Sequence, residues 1–209
     1  VNKARQKSAG GQNYRPGMEL HPELGDRSRD PASVQDEIIN GLLNFSRSSG
    51  TEFERVDVNR VLADVLSLVE HQLEGSKIRV RRELAPRVPL VRGNENRIQQ
   101  VFFNLILNAR DAMPSGGWLT LRTYADDDTV VVEIADTGHG IKREHLRRIY
   151  DPFFTTKGIG KGTGLGLSVS YGIVQELGGA IFVESAPGQG TTFQVALPAL
   201  ALAEVARQG

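Results

Sequence analysis

Apolar residues recur at helical spacing in four stretches of the chain. Over residues 57–74 and 94–113 they return every three or four positions, which places them on one face of an amphipathic helix. The same period predicts shorter helices over about residues 33–48 and 165–177. Each of these patterns indicates a helix with one buried face and one face in solvent.

Alternating apolar and polar residues predict the strands. One strand is expected over residues 78–82, and turn residues at 125–128 and 187–190 predict two hairpins. The paired strands of these hairpins span residues 118–124 with 129–135, and 180–185 with 191–197. Because strands and helices do not alternate regularly, the order favours an α+β fold, with helices on one face of a mixed sheet.

Charge and composition exclude several classes of protein. Among the 209 residues, 25 basic and 25 acidic side chains cancel, which argues against a strongly basic nucleic-acid binder. The absence of cysteine excludes a disulfide scaffold, a zinc–cysteine site and a cysteine nucleophile. No run approaches the ~18 apolar residues that span a bilayer. Residues 1–31 are interpreted as a tail or linker, and residues 199–209 as a C-terminal tail.

Two polar clusters interrupt otherwise apolar elements. Asn104 and Asn108 lie one turn apart on the predicted third helix, so their side chains share a face. They are either solvated asparagines or an amide pair presented to a ligand or to a cation that prefers oxygen. Asp136 ends a strand and is followed by Gly138 and Gly140, which let the backbone approach a ligand closely. This second pattern alone is weak, because many loops match it.

Two further clusters follow along the chain. Residues 151–157 contain two adjacent phenylalanines and Lys157, which by themselves fit a core contact and a surface charge. Residues 158–167 hold five alternate glycines and open a helix. This stretch is neither a Walker motif nor a Rossmann fingerprint. Its glycine amides and the helix N-terminus nevertheless form a donor-rich cradle that suits phosphate.

Taken together and in this order, the four clusters resemble the N, G1, F and G2 boxes of bacterial sensor histidine kinases, within the GHKL group of ATPases and kinases. The matching segments are Asn-Leu-Ile-Leu-Asn-Ala, Asp-Thr-Gly-His-Gly, Asp-Pro-Phe-Phe-Thr-Thr-Lys and Gly-Thr-Gly-Leu-Gly-Leu-Ser. The resemblance covers about residues 51–198 and implies the two-layer α/β sandwich of the GHKL (Bergerat) type. Residues 32–50 look like the end of a dimerisation hairpin.

The resemblance implies a site for ATP and Mg²⁺. By this resemblance, Asp136 accepts a hydrogen bond from the adenine amine, Asn108 is the magnesium ligand, and the glycine amides hold the phosphates. A short lid spans about residues 158–163. The full expected ATP-binding set is Asn104, Asn108, Asp111, Asp136, Gly138, Gly140, Phe154, Lys157, Gly162, Thr163, Gly164, Leu165, Gly166, Leu167 and Thr191.

Two departures from the family pattern qualify the expected activity. None of the four histidines fits the phosphoacceptor motif, and Pro22 after His21 would break the helix that carries it. In hydrolysing members of the group, a glutamate stands where this chain has Asn104, which cannot accept a proton. This favours a kinase over a hydrolysing ATPase. A binding module without catalysis is the third hypothesis.

The resemblance also implies partners and a location. The expected partners are a response regulator receiver domain and a dimerisation and phosphoacceptor segment, and no nucleic acid is expected. A helix as short as residues 33–48 is marginal on its own, so a weak homodimer or a monomer is expected. The location is expected to be cytoplasmic, in a parent protein that is free or attached to a membrane.

Overall fold

The computed structural model describes residues 53–157 and 162–200. The predicted tail at 1–31, the predicted helix at 33–48 and residues 158–161, the first four of the predicted lid, lie outside the described residues. So do residues 201–209, which make up most of the predicted C-terminal tail. The division of the chain into a tail, a hairpin remnant and a domain over 51–198 therefore stays a prediction.

Seven strands and four helices follow one another along the described residues. They are β1 (Glu54–Val56), α1 (Val58–Gly75), β2 (Ile78–Leu84), β3 (Val91–Gly93), α2 (Glu95–Ala112), β4 (Gly117–Asp126), β5 (Thr129–Asp136), α3 (Arg143–Leu146), α4 (Gly166–Glu176), β6 (Ala180–Ala186) and β7 (Gly190–Pro198).

Five of the strands form one mixed sheet in the order β2-β4-β5-β7-β6. Strands β2 and β4 are parallel, and the other neighbours are antiparallel. Strands β1 and β3 form a separate antiparallel pair. The mixed sheet and the α+β class confirm the predicted fold class.

One face of the sheet is covered and the other faces solvent. Along β4, Leu119 and Leu121 are buried, while Trp118 before them and Arg122 after them are exposed. On the open face, Arg122 donates hydrogen bonds to Glu83 and Glu133. The helices therefore pack on a single face, as the alternation of the strands predicts.

The two long helices begin at side-chain caps and bury their apolar stripes. The Asp57 carboxylate accepts hydrogen bonds from the first turn of α1, and the Asn94 side chain does so for α2. The buried face of α2 consists of Ile98, Val101, Phe102, Leu105, Ile106 and Ala109, the residues that the helical period selects. None of the helices in the described ranges is long and apolar enough to cross a bilayer.

Three short elements and one turn differ from the sequence-based prediction. The pattern did not indicate the three-residue strands β1 and β3 or the one-turn helix α3, because each is too short to show a period. The first hairpin is also tighter than the predicted turn at 125–128, since its strands run to Asp126 and resume at Thr129. Asp127 adopts a left-handed backbone conformation there, with φ of 47°, which aspartate tolerates in tight turns.

Candidate functional site

Helix α2 carries three of the predicted site residues along one side. Asn104, Asn108 and Asp111 are four and three positions apart, so their side chains project from successive turns toward the same direction. All three are half-buried. The helix therefore presents two amides and one carboxylate beside its apolar stripe.

The Asn104 side chain connects α2 to the first turn of α4. Its amide nitrogen donates hydrogen bonds to the Gly166 carbonyl oxygen at 3.1 Å and to Ser170 Oγ at 3.2 Å. Ser170 is fully buried and donates to the same carbonyl at 2.9 Å. The sequence analysis missed Ser170. A serine on the buried side of an apolar helix needs a polar partner, and this requirement could have identified it.

A second cluster joins α2 to the segment before the lid. Lys157 Nζ lies 2.6 Å from Asp111 Oδ2 and 3.4 Å from Asn108 Oδ1. Arg110 also donates to the Asp111 carboxylate. Burial on its own raises the pKa of the Asp111 carboxyl, but the hydrogen bonds and charges of Lys157 and Arg110 outweigh burial and leave the pKa below its usual value.

Asp136 ends β5 in a buried position, with only 8% of its surface exposed. The Gly138 N–H donates to its Oδ1 at 2.7 Å. Burial raises the pKa of the Asp136 carboxyl, and the backbone hydrogen bonds from Gly138 and Thr191 offset only part of that rise. A buried carboxylate held by backbone donors is an acceptor aimed at a specific ligand group.

Strand pairing brings Thr191 to Asp136 from 55 positions further along the chain. The two residues lie directly opposite each other in the antiparallel pair of β5 and β7. Side chains of directly opposed residues point to the same side of a sheet. Thr191 is buried to 5% exposure, so the pair forms a single polar spot in an apolar layer.

The loop after β5 packs too tightly for side chains at its two glycines. A Cβ at Gly138 would clash with the Ala112 carbonyl at the end of α2. Gly140 has a φ of 69°, and a Cβ there would clash with the Ala186 carbonyl at the end of β6. The two glycines thus hold the loop between α2 and the second hairpin. His139 between them is exposed.

Helix α4 begins without a side-chain cap. Its first residue is Gly166, preceded by Leu165 in a helical conformation that makes no capping hydrogen bond. The first-turn N–H groups therefore have no side-chain partner among the described residues, unlike those of α1 and α2. Such a helix end is a ready site for an anion.

The glycine-rich segment before α4 folds back on the F box. Gly164 has a φ of 68°, and a Cβ there would clash with the Phe153 backbone. Thr163 Oγ1 accepts the Leu165 N–H at 3.4 Å. Gly162 lies beside the Lys157 side chain, and Leu167 packs partly against the core. Residues 158–161 are not described.

Aromatic residues of the F box and α4 flank this segment. Phe154 is half-buried, with its ring 5.6 Å from that of His145 and under the Arg148 guanidinium. Phe153 is 75% exposed. Tyr150 stacks on Tyr171, and its hydroxyl is buried without a hydrogen-bond partner in the described part of the chain. Burial and the neighbouring Tyr171 raise the pKa of Tyr150 to about 12.

The structure thus brings the predicted residues together from three directions. Helix α2 supplies Asn104, Asn108 and Asp111, the β5–β7 pair supplies Asp136 and Thr191, and the start of α4 supplies Gly166 and its free amides. Among the described residues, no three acidic or histidine side chains converge as a metal cluster. The site is suited to a ligand with a polar ring edge at one end and anionic groups at the other.

Comparison with known proteins finds one family and a consistent set of relatives. The family described as histidine kinase-, DNA gyrase B- and HSP90-like ATPases matches residues 93–201. Sensor kinase CckA of Brucella abortus (strain 2308) is 43% identical over 178 residues, covering 78% of this chain and 19% of that protein. The chain therefore spans about a fifth of the length of this relative.

Solved structures agree with the match. The catalytic domain of histidine kinase ThkA, in a nucleotide-free form, has a TM-score of 0.65 at 31% identity, covering 71% of this chain and 99% of that domain. Histidine kinase ThkA in complex with the response regulator protein TrrA has a TM-score of 0.65 at 28% identity, covering 81% of this chain and 48% of that one.

The lowered pKa of Asp111 predicts a pH-dependent contribution to stability. Because its folded pKa lies below the unfolded value near 3.8, the ionised carboxylate stabilises the fold above that pH, and this contribution is lost as the pH falls through the folded value. Asp111→Asn should lower the free energy of unfolding by about 1 kcal/mol at pH 7, and the difference should shrink below about pH 4. Urea titrations of the metal-free parent and variant at several pH values measure this difference in the free energy of unfolding.

Asp64→Asn is the matched control for that titration. It removes an exposed ion pair with Arg60 in which the two groups lie 4.0 Å apart, and its effect should be smaller at every pH. An Asp111→Asn difference that stayed constant from pH 7 to pH 3 would contradict the assignment of the ion pair.

Proposed function

Because this chain belongs to the family of histidine kinase-, DNA gyrase B- and HSP90-like ATPases, we propose that it is the ATP-binding catalytic part of a sensor histidine kinase. In this proposal it binds Mg-ATP and passes the γ-phosphoryl group to a histidine that is not evident in this chain. The observation that carries the proposal is the uncapped start of α4, held by Asn104 within the same site as the buried Asp136 carboxylate.

The proposed binding mode assigns one end of the nucleotide to each half of the site. The Asp136 carboxylate accepts a hydrogen bond from the adenine amine, and the donors at Gly138 and Thr191 keep the carboxylate oriented for it. The phosphates lie against the first-turn amides of α4, where the helix dipole also favours negative charge. Lys157, whose ammonium group lies 3.4 Å from Asn108 Oδ1, supplies a positive charge that compensates the negative charge of the phosphates.

The residues present fit a magnesium ion that arrives with the nucleotide. Asn108 Oδ1 lies 3.4 Å from the ammonium group of Lys157. This side-chain oxygen therefore already faces a positively charged group. A single amide oxygen is a sufficient protein ligand because Mg²⁺ is commonly held by one or two protein oxygens together with substrate phosphates. When bound, the ion neutralises charge on the phosphates during transfer.

The same geometry favours phosphoryl transfer to a protein over hydrolysis. Both hydrogen bonds of the Asn104 amide nitrogen are directed at α4, and an amide cannot accept a proton from water. Asn104 therefore orients the phosphate-binding helix in this proposal. The contribution of the chain is positioning and electrostatic stabilisation, which account for most of the catalysis in such reactions.

The proposed partners follow from the reaction. The phosphoryl acceptor is a histidine on a dimerisation segment, and a receiver domain receives the group from it. The solved complex of ThkA with a response regulator supports the second partner. Since ATP is the phosphoryl donor, we also propose a cytoplasmic location for this part of the parent protein.

The adenine assignment predicts that Asp136→Ala weakens nucleotide binding. Calorimetric titration of the whole chain with a non-hydrolysable ATP analogue and Mg²⁺ should show binding, and the variant should bind at least about 10-fold more weakly, because it lacks a charged hydrogen-bond acceptor. Asp128→Ala, in the exposed turn of the first hairpin, is the control and should bind like the parent. If the parent chain did not bind, the non-catalytic binding module would become the better hypothesis.

The magnesium assignment predicts a specific loss in Asn108→Ala. The parent should bind ADP more tightly with Mg²⁺ than in excess chelator, whereas the variant should lose this gain, with about 10-fold weaker binding in Mg²⁺. Asn96→Ala, at an exposed position of the same helix, should keep the gain. An undiminished magnesium effect in Asn108→Ala would remove Asn108 from the metal site.

The choice between kinase and hydrolase predicts the fate of the γ-phosphoryl group. With labelled ATP and a separately supplied helical hairpin that carries a His-Glu-x-x-x-Pro-Leu motif, acid-labile label should appear on the hairpin, and Asp136→Ala should prevent it. The chain alone should hydrolyse ATP slowly, because it presents no base at position 104. Rapid turnover by the chain alone would favour the hydrolysing ATPase, and stable label on His21 would show that the acceptor is in this chain.

A further inference from the structure

A third polar residue completes the row that contains Asp136 and Thr191. Ser185 near the end of β6 lies directly opposite Thr191 of β7, which itself lies opposite Asp136 of β5. The three side chains therefore point to the same side of the sheet and lie next to one another. Ser185 is half-buried and belongs to none of the four motifs that the sequence analysis identified.

Ser185 Oγ joins three separate parts of the adenine-side pocket. It accepts the Ile141 N–H at 2.8 Å from the loop after Gly140, and it donates to the Gly190 carbonyl oxygen at 2.9 Å at the start of β7. Its third neighbour is Thr191 Oγ1 at 3.0 Å. A serine hydroxyl has one hydrogen and two acceptor positions, so these three contacts use its whole hydrogen-bonding capacity.

This saturation determines the direction of the hydrogen bond between the two hydroxyl groups. Because the only hydrogen of Ser185 is directed at the Gly190 carbonyl, Thr191 must donate in the contact between them. The Thr191 hydroxyl then has only lone pairs left for a ligand. Beside it, the Asp136 carboxylate is also purely an acceptor, since Gly138 and Thr191 backbone groups donate to it.

We infer that Ser185 is a positioning residue that determines base specificity. By forcing Thr191 to donate to it, Ser185 makes the pocket present two adjacent acceptors, which match a purine with an amino group at C6. A purine with a carbonyl at C6 would place that carbonyl oxygen against two acceptors, and a buried polar group left without a partner is costly. This inference rests on the proposed function, because it requires the purine to lie against Asp136.

The inference predicts a change in base discrimination when the Ser185 hydroxyl is removed. ADP and IDP differ at C6, where an amino group is replaced by a carbonyl, and at the adjacent N1, which carries a hydrogen only in IDP. Calorimetric titration of the whole chain with each nucleotide in the presence of Mg²⁺ therefore measures how the pocket discriminates between these two base edges. In Ser185→Ala, the Thr191 hydroxyl is free to rotate and donate to a carbonyl. The ratio of ADP to IDP affinity should fall by about 3- to 10-fold, the loss expected for one neutral hydrogen bond.

Two variants separate positioning from a general structural effect. Ser185→Thr keeps the hydroxyl and should restore the ratio, and Ser76→Ala, at the end of α1 far along the chain from the motifs, should leave it unchanged. Thr191→Val removes the second hydroxyl and should lower the ratio as much as Ser185→Ala. The double variant should lose no more than either single variant, because the two residues act in one hydrogen-bond chain.

The outcomes separate this inference from the proposed function. If the parent binds ADP better than IDP and Ser185→Ala weakens both equally, the positioning role is wrong and the adenine site stands. If Ser185→Ala does not fold, Thr191→Val serves as the test instead, and an unchanged ratio of ADP to IDP affinity in that variant overturns the inference. If the parent binds neither nucleotide, the proposed function and this inference fall together.

Discussion

The hydrogen bonds of the Asn104 amide to the first turn of α4 hold the two halves of the site together. Helix α2 packs its apolar stripe on the sheet, and Asn104 stands at the edge of that stripe, where it reaches the Gly166 carbonyl and the buried Ser170 hydroxyl. The start of α4 is thereby held against the helix that carries Asn108. Because the amides at that start have no side-chain cap within the described part of the chain, a helix end suited to an anion is held in a defined position beside Asn108, the proposed metal ligand.

The two ends of the site have opposite electrostatic character. At the proposed adenine end, burial raises the pKa of Asp136 and outweighs the two backbone donors and the charge of His139. At the proposed phosphate end, Lys157 and Arg110 outweigh burial and lower the pKa of Asp111. The first carboxylate has no ion pair among the described side chains and suits a neutral donor such as an amine, whereas the second is paired with Lys157 and Arg110. Ser185 extends this logic, since it sets which atoms accept and which donate beside Asp136.

The sequence predicted the long elements and most of the site because both leave local signals. A helical period located α2, and alternation together with turn residues located the two hairpins. The glycines at 138 and 140 could be assigned to a tight loop. The structure shows why glycine is needed there, because a Cβ at either position would clash with the carbonyl of Ala112 or of Ala186. The short elements β1, β3 and α3 were not predicted, because three or four residues are too few to establish a period.

By itself, the sequence determined the order of the elements, their buried faces and the ordered motifs that indicate a nucleotide site. Local periodicity and glycine placement are written into neighbouring residues, and so can be recognised without the fold. Only the tertiary structure decided that Thr191 and Ser185 stand in one row with Asp136, that Ser170 receives Asn104, and that Lys157 lies between Asn108 and Asp111. Apart from the contact between Ser185 and Thr191, which are six positions apart, these contacts join residues 46 to 66 positions apart. Strand register and helix packing, which no local pattern encodes, set their geometry.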